Sequence, residues 1–265
     1  MKPVLLFAMA VVFITSGAHA QILSPTGNKP PVKAEDTEVY EPLPNVVKAG
    51  KTFDIPPSDA VILFDGKNLD EWESSKDKSA ANWKVEDGVF TVDKRAGDIQ
   101  TKKTFTNYQL HIEFRIPANI TGSGQARGNS GVFLAATGGK AGGYEIQVLD
   151  GYNNENKTYV NGMVGSVYKQ SIPLVNPSRK AGEWNVYDIV WTAPAFNSDG
   201  SVKTKAVVTA FLNGVLVQNN YVVQGETAYI GTHDYVKHGP APIKLQAHGD
   251  RSEPISYRNI WLRKL

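Results

Sequence analysis

The feature that most restricts the fold is an unbroken alternation of apolar and polar residues from Tyr108 to Ile116. Successive side chains of a β-strand point to opposite faces, so this pattern predicts a strand with one buried and one solvent-facing side. Pro117 ends it, because proline cannot continue a hydrogen-bonded strand. On this pattern His111 and Glu113 fall on the polar face, and we expect both to be exposed.

Other short strands recur along the chain, and no window shows a sustained helical period. Asp87-Gly88 and Asn213-Gly214 are the two-residue turns typical of β-hairpins. This series indicates an all-β sandwich or jelly roll in one domain. The predicted strands and hairpins are Ala60–Phe64, Trp83–Val92, Trp184–Trp191, Val207–Phe211 with Val215–Val217, and Tyr257–Arg263.

The amino terminus has the pattern of a secretory signal peptide. Lys2 precedes an apolar run of residues 4–14, and Ala18-His19-Ala20 fits a cleavage site, so residues 1–20 are expected to be removed after Ala20. The run is too short to span a membrane. We therefore expect an exported protein, in the periplasm or outside the cell, that is not inserted in a membrane. Residues 21–58 are proline-rich and predict an extended lead-in, and residues 59–265 form the domain.

Composition excludes several classes of function. The chain has no cysteine, so neither disulfides nor thiol catalysis are available. Its formal net charge of +2 gives no reason to expect a nucleic acid partner. No HExxH, GxSxG or phosphate-binding loop occurs.

The stretch from Asn129 to Asp150 carries the clearest candidate chemistry. It predicts strands at Asn129–Ala136 and Tyr144–Asp150, joined by a glycine-rich loop. On the second strand Glu145 and Gln147 share one face, which we expect to be the floor of a carbohydrate site. The spacing of Glu145, Gln147 and Asp150 is similar to that of the E-x-D-x-x-E strand of bacterial laminarinases. Gln147 replaces the central acid, however, which argues against a retaining mechanism with two carboxylates.

A second candidate lies near the carboxyl terminus. Residues 243–248 alternate again, and Lys244, Gln246 and His248 share the polar face. A histidine there could serve as a base if this strand lies across the same groove as Glu145.

Residues 59–265 resemble the 3-keto-disaccharide hydrolase domains of exported bacterial proteins. The likeness rests on short motifs in a specific order and spacing: Leu63–Leu69 with Trp72, Trp83–Gly88, Asn129–Phe133, Tyr144–Asp150, Gly182–Asn185, Pro242–Gly249 and Arg258–Trp261. It implies a concanavalin A-like jelly-roll sandwich of two antiparallel sheets. It also implies action on glycosides whose sugar already carries a 3-keto group.

Such a substrate needs one base and a group that stabilises an enolate, so the resemblance makes Glu145 and His248 the catalytic candidates. Sugar contacts are expected from Gln147, Gln246, Lys244, Asn129, Arg127, Asp150 and Tyr168. Asp150 could instead cap the turn at Gly151. No cofactor is required by any motif, and a divalent cation held by Glu145 and His248 stays open.

Two other functions fit the same sandwich. A non-catalytic carbohydrate-binding module would rely on aromatic residues more than on Glu145. A retaining β-glucanase would cleave ordinary glucans without prior oxidation.

Overall fold

The structure is a computed structural model that describes residues 33–139, 142–231 and 233–265. The predicted signal peptide lies outside these residues. Two units separate. The described part of the first is an extended segment with one 3₁₀ turn, Ala34–Thr37. The second, Val47–Lys264, holds every strand. None of the helices in the described residues is long and apolar enough to cross a membrane.

The second unit consists of short strands, with 3₁₀ turns at Gly124–Ala126, Tyr152–Asn154 and Val160–Gly162. In chain order the strands are β1 Val61–Phe64, β2 Trp72–Ser74, β3 Lys84–Glu86, β4 Val89–Thr91, β5 Ile99–Thr101, β6 Tyr108–Arg115, β7 Ser130–Phe133, β8 Glu145–Val148, β9 Trp184–Thr192, β10 Ala195–Phe196, β11 Val202–Thr204, β12 Val207–Leu212, β13 Val215–Val222, β14 Lys244–Leu245 and β15 Ser256–Lys264.

These strands form two main antiparallel sheets. The eight-stranded sheet has the order β13-β12-β9-β6-β15-β4-β3, with β1 also paired to β15. The five-stranded sheet has the order β2-β5-β14-β7-β8. The prediction of an all-β jelly-roll sandwich of two antiparallel sheets is confirmed. Neighbouring strands in each sheet are often distant in sequence, so β14 lies between β5 and β7.

Both predicted hairpin turns are present. Glu86 pairs with Val89 around Asp87 and Gly88, whose φ angles are 52° and 76°. Leu212 pairs with Val215 around Asn213 and Gly214, whose φ angles are 53° and 77°. Positive φ at both central residues is the geometry that matches the twist of the flanking strands.

Tyrosines connect the two sheets through the core. Tyr187 on β9 donates to the carbonyl oxygen of Gln147 at 2.6 Å. Tyr257 on β15 lies 2.8 Å from the hydroxyl of Ser130 on β7. A buried phenol needs a polar partner, and these contacts supply one while fixing β7 and β8 against the large sheet.

The outer face of β6 differs from the prediction. His111 and Glu113 were expected to be exposed but are only 2% and 3% exposed. The His111 ring stacks on Trp261 at 4.8 Å, and its Nδ1 lies 2.8 Å from Asp188. The prediction was wrong because the polar residues of this face satisfy one another and can be covered.

Charge pairing sets the protonation of this cluster. Burial alone disfavours the imidazolium, but the carboxylates of Asp188 and Glu113 outweigh it and raise the pKa of His111 to about 9. Burial likewise opposes ionisation of Glu113, yet His111, Asn259 and Arg258 lower its pKa to about 2. The cluster is therefore ionised at neutral pH.

This raised pKa predicts a pH-dependent stability. His111 binds its proton more tightly folded than unfolded, so its contribution is complete below about pH 6.5 and is lost as pH rises through about 9. We expect a loss of a few kcal/mol, on the order of 3, across that window. Urea unfolding at pH 6 and pH 9.5 measures it. His111→Gln should flatten the difference, and an unchanged pH slope in that variant would contradict the assignment.

Candidate functional site

Glu145 and Gln147 lie on β8, and alternation directs them away from the core that buries Ile146 and Val148. Both are nonetheless covered, at 5% and 1% exposed. The neighbouring Gly131 on β7 explains how Glu145 fits, because a Cβ there would lie 2.1 Å from Glu145 Oε1. The missing side chain leaves the space that the carboxyl group occupies.

Gln147 touches Glu145 directly. One end of its amide lies 2.9 Å from Gln125 Oε1, and the other lies 3.0 Å from Glu145 Oε1. With its nitrogen on Gln125, the amide oxygen faces Glu145, and that contact is favourable only with a proton between the two oxygens. With its nitrogen turned to Glu145, the amide donates to the carboxylate and to the carbonyl of Ser130 at 3.1 Å. The protonation of Glu145 is thus linked to the orientation of Gln147.

Burial dominates the charge state of Glu145. It raises the pKa of this carboxyl group to about 8; Lys244 opposes the rise and Asp98 adds to it. The ammonium of Lys244 lies 3.2 Å from Asp98 and 3.8 Å from the ring centroid of Phe133. Because burial outweighs the attraction of Lys244, the protonated form of Glu145 is favoured at pH 7.

His248 is oriented by an acid that the sequence reasoning did not identify. Its Nδ1 lies 2.8 Å from Asp250 Oδ2. Burial disfavours charge on Asp250, but hydrogen bonds from Lys94, Ser252 and His248 lower its pKa to about 2. An ionised Asp250 accepts a hydrogen bond from Nδ1, which leaves the lone pair of Nε2 available to accept a proton.

A cleft of about 440 Å³ brings these groups together. We call it the Glu145 cleft. It contains six of the nine predicted site residues, together with part of the loop of residues 225–231. Its lining residues are Asn129, Phe133, Glu145, Gln147, Tyr168, Thr227, Ala228, Tyr229, Ile230, His233, Gln246 and His248.

Gln246 lines this cleft and carries an acceptor without a partner in the described part of the chain. Its side-chain oxygen is buried and has no hydrogen-bond partner among the residues that the structure describes. Its backbone nitrogen donates to Gly131 at 3.0 Å, which fixes the residue beside β7. A buried acceptor without a partner is costly, so a ligand hydroxyl is a suitable partner.

Three predicted contacts lie elsewhere. Lys244 pairs with Asp98 beside the Glu145 cleft and does not line it. Arg127 and Asp150 pair with each other at 2.6 Å and line a separate cleft that also contains Tyr152. The backbone nitrogen of Tyr152 lies 3.5 Å from Asp150, in keeping with a turn-capping role. The structure thus separates Arg127 and Asp150 from the Glu145 cleft, and their role as sugar contacts stays a prediction.

The contribution of the 225–231 loop was also missed by the sequence reasoning. Thr227 accepts a hydrogen bond from the backbone of Glu145 at 3.0 Å, which ties the loop to the start of β8. Tyr229 and Ile230 then form one side of the cleft. No local sequence signal reveals this contact, because it joins residues 82 positions apart.

Metal binding gains no support from these positions. Among residues 33–139, 142–231 and 233–265, no group of three or more histidine, cysteine or acidic side chains could hold an ion.

Comparison with solved structures relates this fold to carbohydrate-active proteins. A structure from Parabacteroides distasonis ATCC 8503, assigned as a candidate glycosyl hydrolase, is 56% identical over 88% of this chain and 97% of that chain, with a TM-score of 0.81. Two others from that organism, assigned likewise, are 22% and 24% identical, cover 78% of this chain and 94% and 99% of their own, and have TM-scores of 0.57 and 0.55. These two show the fold alone.

A search of curated proteins returned no match. Residues 59–263 match the family model described as the 3-keto-alpha-glucoside-1,2-lyase-like domain. The chain therefore belongs to this family of glycosyl hydrolase-like, carbohydrate-active domains.

Proposed function

We propose that the protein is an exported enzyme that cleaves 3-keto-glycosides, including 3-keto-disaccharides, by removing the C2 proton and eliminating the C1 substituent. One observation carries the proposal: Glu145, a buried carboxyl group whose pKa is raised, and His248, whose Nδ1 contacts Asp250, line a single cleft. The family match supports the substrate class.

The substrate determines what the site must do. A ketone at C3 acidifies the C2 proton, and its removal forms an enolate whose negative charge rests on the C3 oxygen. The enolate electrons then form the C1–C2 double bond and expel the C1 oxygen with its bonding electrons. That oxygen takes a proton from water, and water can afterwards add to the enone to complete a net hydrolysis.

His248 is the base in this scheme. Asp250 holds Nδ1 protonated and stabilises the positive charge that develops when Nε2 takes the C2 proton. The imidazole side chain is 36% exposed, so the ring edge is accessible to a bound sugar.

Glu145 is the enolate stabiliser. A neutral carboxyl group donates a hydrogen bond to the C3 oxygen, and this bond strengthens as negative charge develops there. Gln147 holds the carboxyl group in place, and Gln246 accepts from a sugar hydroxyl. Asn129 and Tyr168 line the same cleft and add contacts to the substrate.

Two further parts of the proposal concern the location of the enzyme and its need for a metal ion. Residues 1–20 act as a cleaved export signal, which places the enzyme in the periplasm or outside the cell. The scheme uses protein groups and water, and comparing the rates with and without a chelator shows whether a divalent cation also takes part.

Matched substrates test the proposal. The mature protein is incubated with one disaccharide in its 3-keto and unoxidised forms, with and without EDTA, and the products are identified. We expect cleavage of the 3-keto form only. Cleavage of the unoxidised form would instead indicate a direct glycosidase, and binding without product would indicate a carbohydrate-binding module. Either result would overturn the proposal.

A further inference from the structure

A cluster of three tyrosines and one lysine adjoins the Glu145 cleft, and the proton transfers described above do not use it. Tyr159, Tyr168 and Tyr229 surround the ammonium of Lys169, whose Nζ lies 5.1, 5.8 and 4.4 Å from the three ring centroids. Attraction between a cation and aromatic rings favours this arrangement. We call the three tyrosines the tyrosine cluster.

Direct bonds hold the cluster together. The hydroxyls of Tyr159 and Tyr168 are 2.7 Å apart. Lys169 donates to the carbonyl oxygen of Tyr229, which fixes the 225–231 loop beside the other two rings. The backbone of Lys169 donates to Asn161 at 2.7 Å. The rings are therefore positioned by the protein before any ligand binds.

The cluster adjoins the reacting groups. The backbone nitrogen of Tyr168 donates to the carbonyl oxygen of Glu145 at 3.1 Å. Tyr168 and Tyr229 both line the Glu145 cleft. A ligand in the cleft that contacts Glu145 therefore lies near these rings.

Exposure separates the floor of the cleft from its mouth. Glu145 is 5% exposed, whereas Tyr229 and Ile230 are 71% and 76% exposed. These two large adjacent side chains form an exposed apolar surface beside a polar cleft. The packing of the fold does not require such a surface. C1 is bonded to C2, so a sugar whose C2 and C3 lie at the floor can hold its C1 substituent against this surface.

We propose that Tyr168 and Tyr229 form the subsite for the leaving group, taking a group with a flat apolar face. This inference rests on the proposed function and specifies which leaving groups the enzyme prefers. Either an aromatic ring or the C–H face of a second sugar has the required surface, and both stack on tyrosine. Lys169 acts as a positioning residue that holds the rings.

The test compares leaving groups on one 3-keto-glucoside: methyl, phenyl and glucosyl. We expect Tyr229→Ala to lower kcat/KM roughly tenfold for the phenyl or the glucosyl substrate, mainly through KM, and much less for the methyl substrate. Tyr229→Phe keeps the ring and should restore the wild-type preference. A loss confined to phenyl identifies an aromatic aglycone, and a loss confined to glucosyl identifies a sugar.

Controls separate the possible failures. Tyr152→Ala removes a partly exposed tyrosine from the separate Arg127 and Asp150 cleft and should leave all three rates unchanged. Equal losses for all three substrates, or no loss for any, would overturn the subsite while leaving the proposed function intact. No turnover of any 3-keto substrate by the wild-type protein would overturn the proposed function, and the subsite with it.

Discussion

Replacing His248 by alanine is expected to lower kcat/KM on a 3-keto-disaccharide by a factor of about 10²–10⁴, the usual contribution of a general base. The imidazole accepts the C2 proton, and no other group in the scheme can take that role while Glu145 is neutral. Steady-state kinetics at pH 7, with the melting temperature measured alongside, checks this result.

Two further variants show whether the loss arises from proton transfer. Asp250→Asn keeps the side-chain shape but removes the charge that orients Nδ1 and stabilises the imidazolium. We expect a smaller loss and an altered pH profile. His238→Ala removes a histidine that does not line the Glu145 cleft and should behave as wild type. Full turnover by a folded His248→Ala protein would refute the assignment of the base.

The second large effect separates two roles for Glu145. If it donates a hydrogen bond to the enolate, Glu145→Ala should lose a factor of about 10²–10³, as for removal of one oxyanion donor. Glu145→Gln keeps a donor and should lose only about tenfold. A base cannot be replaced by an amide, so equal inactivity of the two variants would show that Glu145 is the base.

The pH profile gives the same distinction. Glu145 holds its proton below a pKa of about 8, so the donor is present at lower pH and is lost as pH rises through about 8. Wild-type activity should therefore fall above that pH, and Glu145→Gln should lose this alkaline decline. Glu86→Gln, a change on the exposed β3–β4 hairpin, is the matched control and should keep it.

Strand periodicity made much of this fold predictable. Alternating residues located β6 and β9, and the Asp-Gly and Asn-Gly turns located two hairpins, because both signals are local. The prediction was less accurate at residues 243–248, where only Lys244–Leu245 form a strand. Beyond it the chain bonds elsewhere, with Ala247 donating to Asp98 at 2.8 Å.

The site was predictable only where one strand determined it. Period two placed Glu145 and Gln147 on one face of β8, and the structure places His248 at the same cleft. The pairing of Arg127 with Asp150 was not predictable, because only the folded chain brings these two residues together. The tilt of His248 onto Asp250 and the burial that raises the pKa of Glu145 also require the folded chain.

The fate of the C2 hydrogen tests the central claim most directly. A 3-keto-disaccharide carrying deuterium at C2 is incubated with the mature protein, and its products are analysed by mass spectrometry at early times against a sample without enzyme. The account predicts that cleaved product has lost deuterium from C2, because that bond breaks before the C1 oxygen leaves. Product that retains its deuterium would show direct cleavage at C1 and contradict the account.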